Sequence, residues 1–259
     1  MNCNGNEDLI KTAFKVEEGI GLPSLLFYRP ITYLILKATR LRASPLKIII
    51  IRFILRILAL CSLLMINENF FELINRIFYI ISGIIIQKND TLFLIFFGIF
   101  YNVNFILNCL CDSIMIYYNL RQVSNIILDF IIYEFGNVLT YLTIFYVFPN
   151  YRNYLIIFII VIYLLRSSKT YPVISRRAKE KLSRMNLKIK IKGHEVRILY
   201  SSRDYFVISI LLMVYSMYYH IYTEIILLVI IIYWALMSII HLVRVITVGL
   251  SINQVKKPS

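Results

Sequence analysis

The sequence predicts an all-α, polytopic membrane protein with about six transmembrane helices. Hydrophobic residues make up 59% of its 259 residues, whereas soluble domains contain about 45–50%. Its mean hydropathy is +0.74, and the apolar residues fall in runs close to the length of a membrane-spanning helix. Lys and Arg outnumber Asp and Glu by 28 to 14. In so apolar a chain this excess indicates cytoplasmic loops, and we expect no nucleic-acid partner.

Residues 1–44 are predicted to be a cytosolic N-terminal extension. Its first part, MNCNGNEDLIKTAFKVEEG, lacks the basic-then-apolar order of a secretory signal peptide, so the first span would serve as the insertion signal. The second part, LPSLLFYRPITYLILKATRLR, mixes basic and apolar residues as interfacial amphipathic segments do. A disordered or locally packed tail fits this part equally well.

Six apolar runs are interpreted as membrane spans. They cover residues 46–66, 91–118, 126–148, 151–165, 205–222 and 224–243. Span 1 includes Arg52 and Arg56 in its first half, where we expect their long side chains to reach the nearby interface. The amphipathic stretch 67–90 has an apolar centre too short to span, and span 4 is short for a bilayer.

The distribution of basic residues predicts the orientation of these spans. With six spans, both termini lie on one side, and only Arg76, Lys88 and Arg152 would lie on the other. The positive-inside rule therefore places both termini, the basic loop 166–203 and the tail 246–259 in the cytosol. The loop would bind anionic lipid headgroups or an acidic partner, or would serve only as an orientation signal.

Spans 2 and 3 contain polar residues, which are costly at membrane depth. Asn104 and Asn108 are four residues apart and share one helix face. Asn137 follows three residues after Glu134 and shares its face, whereas Asp129 lies five residues before Glu134. These five residues predict either a hydrophilic groove or hydrogen bonds that only tie helices together.

No sequence pattern predicts catalysis, a cofactor or a metal site. His241 is a candidate base, but neither Ser216 nor Ser238 has the Gly-rich setting of an activated nucleophile. Cys109 and Cys111 have no neighbouring histidine, and there is no phosphate-binding loop. We therefore expect a protein that is not an enzyme.

The C-terminus has the form of a retrieval signal. Lys256 and Lys257 are the fourth and third residues from the end, in KKPS. Coat proteins read this dilysine form from the cytosol and return membrane proteins to the endoplasmic reticulum. The charge distribution independently places this tail in the cytosol, so the sequence predicts residence in the endoplasmic reticulum membrane.

Three stretches of the sequence resemble motifs of one known family. SPLK, at 44–47, resembles a start signal before span 1, and FFGIFYNVNFILN, at 96–108, resembles Phe-Phe-Gly followed by Asn-Phe-x-x-Asn. VIYLLRSSKTYP, at 161–172, resembles the end of span 4. These motifs and their order over 45–245 are similar to those of the derlins, the inactive rhomboid-like proteins of the endoplasmic reticulum.

The spacing between family positions is also similar. The interval from Pro45 to Asn75 is close to that between the derlin Pro pair and an Asn in the first lumenal loop. The interval from Gly98 to Asp129 matches that between Phe-Phe-Gly and Ala-Asp-Phe. The sequence departs from the family in lacking its lumenal Trp-Arg pair, the Gly-x-x-x-Gly motif of span 6 and the tail box that recruits an AAA ATPase.

The resemblance implies a rhomboid-like six-helix bundle with span 4 at its centre. It also implies retrotranslocation of misfolded proteins through a thinned membrane, towards a ubiquitin ligase complex and an AAA ATPase, with no catalytic residue or cofactor. The residues that would line its hydrophilic groove are Asn104, Asn108, Asp129, Glu134 and Asn137.

Other functions fit parts of the sequence. LLRSSKTYPVISRR loosely resembles a basic stretch in membrane-shaping, nuclear-pore-associated proteins of the endoplasmic reticulum. A small transporter would predict inverted repeats and helices broken by Gly or Pro, which only 8 Gly and 6 Pro do not favour. An organelle-encoded respiratory subunit fits the Ile, Tyr and Phe content but does not explain the tail.

Overall fold

Among the residues that it describes, the computed structural model contains eight helices and a small sheet. It describes residues 20–21, 23–39, 44–117, 123–170, 188–191, 194–197 and 203–254. Helix α1 follows a π-helical turn, Ser24–Tyr28, and a 3₁₀ turn, Pro149–Tyr151, precedes α6. The helices are α1 Arg29–Thr39, α2 Pro45–Leu64, α3 Glu68–Ser82, α4 Asp90–Tyr117, α5 Val123–Val147, α6 Arg152–Thr170, α7 Arg203–Tyr219 and α8 Thr223–Gln254. The predicted helical class is confirmed.

Three of these helices are long and apolar enough to cross a membrane. They are α4 over Asp90–Met115, α5 over Ile127–Val147 and α8 over Thr223–Thr247. Helices α2 and α3 meet the same criterion only as a pair, with a bend of 109° between them. Predicted spans 4 and 5 are shorter apolar helices, Pro149–Leu165 and Tyr205–Tyr219. The described chain therefore has three candidate spans, or four with the bent pair, and six remains a prediction.

Helices α1 to α5 belong to one compact unit, in which α2 packs along both α4 and α5. The Sγ atom of Cys111 lies 3.9 Å from the carbonyl oxygen of Pro45, and Arg56 lies over the ring of Tyr101. Residue numbers rise along α2 as they fall along α4, so these two helices are antiparallel. Their shared core includes Ile49 and Ile114, both fully buried.

Helix α1 packs against α4 and is part of this unit. The hydroxyl of Tyr28 donates to Asn102 Oδ1 at 2.9 Å, and its ring packs edge-on against Phe105. Arg29 Nη1 donates to Ser113 Oγ at 3.1 Å. Residues 24–39 are therefore packed against α4. The first 19 residues of the predicted extension lie outside the described ranges.

Helices α6, α7 and α8 belong to a second unit, in which α6 and α7 pack against α8. Phe206 of α7 stacks on Phe158 of α6, with ring centroids 6.3 Å apart, and meets Trp234 of α8 edge-on. Trp234 Nε1 donates to Ser209 Oγ at 2.9 Å. The hydroxyls of Thr223 and Ser238 on α8 donate to the carbonyl oxygens of Ser216 on α7 and Val161 on α6. Aromatic packing and hydroxyl hydrogen bonds thus join the three helices.

A three-stranded sheet also belongs to the second unit. Its strands are β1 Ile20–Gly21, β2 Lys188–Ile191 and β3 His194–Arg197. β2 and β3 are antiparallel, and β1 pairs with β3 in parallel. The predicted basic loop, 166–203, contains β2 and β3, and Lys and Ile alternate over 188–191 with the two-residue period of a strand. Residues 171–187 of that loop lie outside the described ranges.

Candidate functional site

An ion pair between α2 and α5 lies inside the first unit. Arg52 Nη1 donates to Asp129 Oδ1, and only 4% of Arg52 and 7% of Asp129 is exposed. The expectation that Arg52 extends to the membrane interface is therefore wrong. An isolated charge at membrane depth is costly, and the carboxylate of α5 neutralises this guanidinium inside the protein.

The second arginine of α2, Arg56, lies one helical turn further on and is also buried. Its Nη2 atom donates to Asn137 Oδ1 at 2.7 Å and to Thr140 Oγ1 at 3.0 Å. Its guanidinium carbon lies 5.0 Å from the ring centroid of Tyr101 on α4, which is a cation–π distance. Arg56 thus contacts both α4 and α5 and does not reach the interface, contrary to expectation.

A glycine on α5 makes room for Arg56. A Cβ atom built on Gly136 would lie 3.2 Å from Arg56 Nε, which is a tight contact. The carbonyl oxygen of Gly136 accepts a hydrogen bond from Thr140 Oγ1 at 2.7 Å. The small residue and the threonine one turn later therefore form the part of α5 on which the guanidinium rests.

We call Arg52, Arg56, Asp129, Asn137 and Thr140 the arginine network. Along α2 its members are four residues apart and along α5 they are eight and three apart, so each set lies on one helix face. Residue numbers rise in the same direction on both helices, which makes α2 and α5 parallel. The network fixes the axial register of the two helices, because a shift of either one would separate every donor from its acceptor.

The five predicted groove residues divide between this network and its surroundings. Asp129 and Asn137 belong to it, and Asn104 and Asn108 are buried on α4. Glu134 is half-buried. For Asp129 and Asn137, the contacts are those of a tie between helices. The partner arginines, Arg52 and Arg56, were not among the predicted site residues, although two arginines at a spacing of four indicate an acidic partner in another span.

Helix α3 differs from its neighbours, because only Phe71 of its residues is buried. Asn67 caps its start by accepting a hydrogen bond from the backbone N–H of Phe70 at 3.2 Å. Gly83 ends it with φ +69°, in the left-handed region that favours glycine. The helix is thus well defined at both ends while most of its surface faces outward.

The exposed surface of α3 is amphipathic. A helical projection places Glu68, Glu72, Arg76 and Tyr79 on one side. The opposite side is apolar, and its exposed residues are Leu73, Ile77, Ile80 and Ile81. Ile80 and Ile81 have 81% and 79% of their surface exposed. We call this side the α3 apolar face.

The segment after α3 continues this apolar surface. Ile84 and Ile85 are 59% and 72% exposed. The backbone N–H of Ile86 donates to Asn75 Oδ1 at 2.8 Å, which holds the segment back against α3. Asn75 is the residue whose spacing from Pro45 resembles the derlin pattern, and here its side chain fixes the path of the chain between α3 and α4.

Within the described ranges, no group of three or more His, Cys, Asp or Glu is placed to bind a metal. The hydroxyl of Ser216 donates to the carbonyl of Met213 at 3.0 Å, and that of Ser238 to the carbonyl of Trp234 at 2.9 Å. The hydroxyl of Ser216 thus bonds within α7, and that of Ser238 also donates to the carbonyl oxygen of Val161 on α6 at 3.2 Å.

The dilysine pair, Lys256 and Lys257, lies outside the described residues, and its role stays a prediction. In comparisons with known proteins, the chain matches no protein-family model and no curated protein.

Proposed function

We propose that this chain is a membrane-shaping protein of the endoplasmic reticulum, which wedges one leaflet apart and thins the bilayer beside itself. The observation that supports this function is α3, an amphipathic helix that bends away from α2 by 109° and leaves its apolar face uncovered. Such helices lie in the plane of the membrane interface, with their apolar side between lipid chains. Among the partners that the sequence suggests, membrane lipid is the one that this surface fits.

The attachment of α3 to α2 makes it an effective wedge. Only the short turn from Met65 to Asn67 separates the two helices, so insertion of α2 keeps α3 next to the membrane surface. Burying apolar surface contributes about 25 cal/mol per Å², and residues such as Ile80 and Ile81 offer most of their side chains. The helix therefore occupies volume in one leaflet and not in the other.

Unequal helix lengths support local thinning. At about 1.5 Å per residue, the 28 residues of α4 extend about 42 Å and the 17 residues of α7 about 26 Å. The hydrocarbon core of a bilayer is about 30 Å thick. Mismatch of this kind costs fractions of a kcal/mol per Å, and the bilayer adapts to it by thinning near short helices. In this proposal, predicted spans 4 and 5 are the short helices beside which the bilayer thins.

The test is deformation of vesicles by the purified full-length protein. Wild type is reconstituted beside the double variant Ile80→Asn/Ile81→Asn, whose altered residues contact little within the protein. Wild type should tubulate or fragment the vesicles, and the double variant should do so much less. The matched control, Glu72→Gln/Arg76→Gln, alters the exposed polar side and should behave as wild type. Equal deformation by all three proteins would disprove the proposed role of α3.

A second candidate function is derlin-like retrotranslocation, and Asn75 is the observation that favours it. This residue was matched to the derlin first lumenal loop by its spacing, and it holds that loop against a helix lying across α2. In this candidate the chain has six spans in a rhomboid-like arrangement, with both termini cytosolic. Misfolded proteins, a ubiquitin ligase complex and an AAA ATPase are its partners. No nucleic acid, cofactor or catalytic step is involved.

Degradation of a misfolded lumenal reporter tests this second candidate. Asp129→Leu alone would leave Arg52 buried without its carboxylate, so the informative variant is Arg52→Leu/Asp129→Leu combined with Glu134→Leu. Replacing a whole buried pair with apolar residues is often tolerated. Slow degradation with normal protein levels would support a polar groove, and wild-type speed would rule it out. Co-purification with a ubiquitin ligase and an AAA ATPase, or with nucleoporins and reticulons, separates the two candidates.

A further inference from the structure

We infer that the lipid partner of α3 is a neutral, loosely packed leaflet, and that anionic lipid is not required. This inference rests on the proposed membrane-shaping function and specifies the lipid class that the helix selects. It is carried by three features of the described chain: the charges on the polar side of α3, the shape of its apolar face and the hydrogen bonds that fix its ends.

The polar side of α3 provides no attraction for anionic headgroups. It contains two acidic residues, Glu68 and Glu72, and one basic residue, Arg76. Arg76 lies 3.7 Å from Glu72 in an exposed i,i+4 pair, so its charge is already partnered. Beyond the helix, Lys88 Nζ lies 3.2 Å from Asp90 Oδ1. Helices that bind anionic membranes are instead rich in Lys and Arg on the polar side.

The acidic polar side of α3 contrasts with the chain as a whole, whose formal net charge is +14. The basic excess lies in other parts of the sequence, including the stretch RRAKEKLSRMNLKIKIK. Electrostatic attraction to anionic lipid therefore acts elsewhere on this protein. At α3, binding to the membrane depends on its apolar face alone.

The α3 apolar face is built from bulky, branched side chains. Ile77, Ile80 and Ile81 lie on one side of the helix, and Ile84 and Ile85 extend that surface beyond Gly83. Side chains of this size enter a leaflet where lipid headgroups are spaced apart, as in unsaturated or strongly curved membranes. Some amphipathic helices sense lipid packing in this way, and their binding depends on the curvature and composition of the membrane.

Helix α3 is already folded in the protein, so it does not need attraction to charged headgroups in order to form. The Asn67 cap, the left-handed Gly83 and the hydrogen bond from Ile86 N–H to Asn75 define α3 at both ends in the protein itself. Segments that are disordered in solution spend binding energy on ordering themselves. Here the helix is already formed and is tethered to α2, so neutral lipid with open packing is sufficient.

The experiment measures how deeply α3 enters vesicles of different lipids. Full-length Ile81→Trp and, as a polar-side control, Arg76→Trp are reconstituted in three lipids. These are unsaturated phosphatidylcholine, the same lipid with about 30% phosphatidylserine, and saturated phosphatidylcholine with cholesterol. Brominated lipid in each mixture quenches the tryptophan according to its depth, and wild type supplies the signal of Trp234 for subtraction, since it is the one Trp in the chain.

Quenching of Ile81→Trp should be equal with and without phosphatidylserine and should fall about two-fold or more in the tightly packed mixture. Arg76→Trp should be quenched weakly in all three. An increase of about two-fold on adding phosphatidylserine, or no decrease in saturated lipid, would overturn the inference. Because Ile81 is largely exposed, this variant disturbs no packing, and Ile80→Trp repeats the measurement from a neighbouring position.

The outcomes separate this inference from the proposed function. If Ile81→Trp enters loose neutral lipid but wild type deforms no vesicles, the lipid partner stands and membrane shaping is wrong. If vesicles deform only when phosphatidylserine is present, membrane shaping stands and the neutral-lipid inference fails. If the tryptophan remains unquenched in every lipid, α3 does not lie in the membrane and both are wrong.

Discussion

The two units of this protein hold their helices together by different means. In the first unit, charged and amide groups of α2 and α5 meet through the arginine network. In the second, Phe158, Phe206 and Trp234 pack α6, α7 and α8 together, with a hydroxyl from Ser209. Hydrogen-bonded charges specify one partner and one register, because their energy depends steeply on position. Aromatic packing tolerates small displacements, since its energy is spread over many weak contacts.

This difference predicts that one substitution can destabilise the first unit strongly, whereas one substitution in the aromatic cluster destabilises the second unit less. Breaking a buried ion pair leaves an uncompensated charge, whereas deleting one contact from an aromatic cluster leaves the others in place.

The largest effect is expected for Asp129→Leu. It leaves Arg52 buried without its carboxylate, which should destabilise the first unit by about 3–5 kcal/mol and impair insertion of α2. Thermal unfolding in detergent measures the first effect, and glycosylation of an acceptor site placed after α2 measures the second. The double variant Arg52→Leu/Asp129→Leu should recover most of the stability. If the single variant is as stable as wild type, the ion pair does not hold the unit together.

Gly136→Leu should be the next most damaging change. Its side chain would enter the space of Arg56, where even a Cβ atom lies 3.2 Å from Nε, and overpacking of this kind costs about 1–3 kcal/mol. The measurement is a double-mutant cycle with Arg56→Ala, followed by thermal unfolding. The glycine substitution should cost less in the Arg56→Ala background. Equal costs in both backgrounds would show that Gly136 does not position Arg56.

In the second unit, Ser209→Ala should have a smaller effect. It removes the acceptor of Trp234 Nε1 and leaves a buried donor unsatisfied, at a cost of about 1–3 kcal/mol. The ring contacts of Trp234 remain, so α7 and α8 should stay packed. Loss of tryptophan fluorescence anisotropy at moderate temperature would contradict this. The control is Ser62→Ala, whose hydroxyl donates to the carbonyl oxygen of Leu58 in its own helix.

The smallest effect is expected for Arg76→Gln. Its ion pair with Glu72 is exposed on both sides, and such i,i+4 pairs contribute about 0.2–0.5 kcal/mol. Thermal unfolding in detergent should therefore be nearly unchanged. A large loss of stability would mean that the polar side of α3 contacts protein, which would remove the basis for placing it at the membrane surface.

The sequence by itself determined the helical class and most helix positions. Predicted spans 46–66, 91–118 and 126–148 correspond to α2, α4 and α5 within a few residues. These predictions succeed because apolar content and length are local properties of a segment. The number of spans stays a prediction, since α2 contains three basic residues, Lys47, Arg52 and Arg56, and α7 is short, so that neither is long and apolar enough to count as a span alone.

Only the tertiary structure decided which residues are partners. Arg52 and Asp129 are 77 positions apart, and no local pattern shows that one is buried against the other. The expectation that arginines near a helix end reach the interface failed for that reason. The sequence likewise did not determine the direction of α3 or the pairing of β2 with β3. A bend of 109° and a strand partner depend on contacts made across the fold, whereas hydrophobicity is a property of each segment alone.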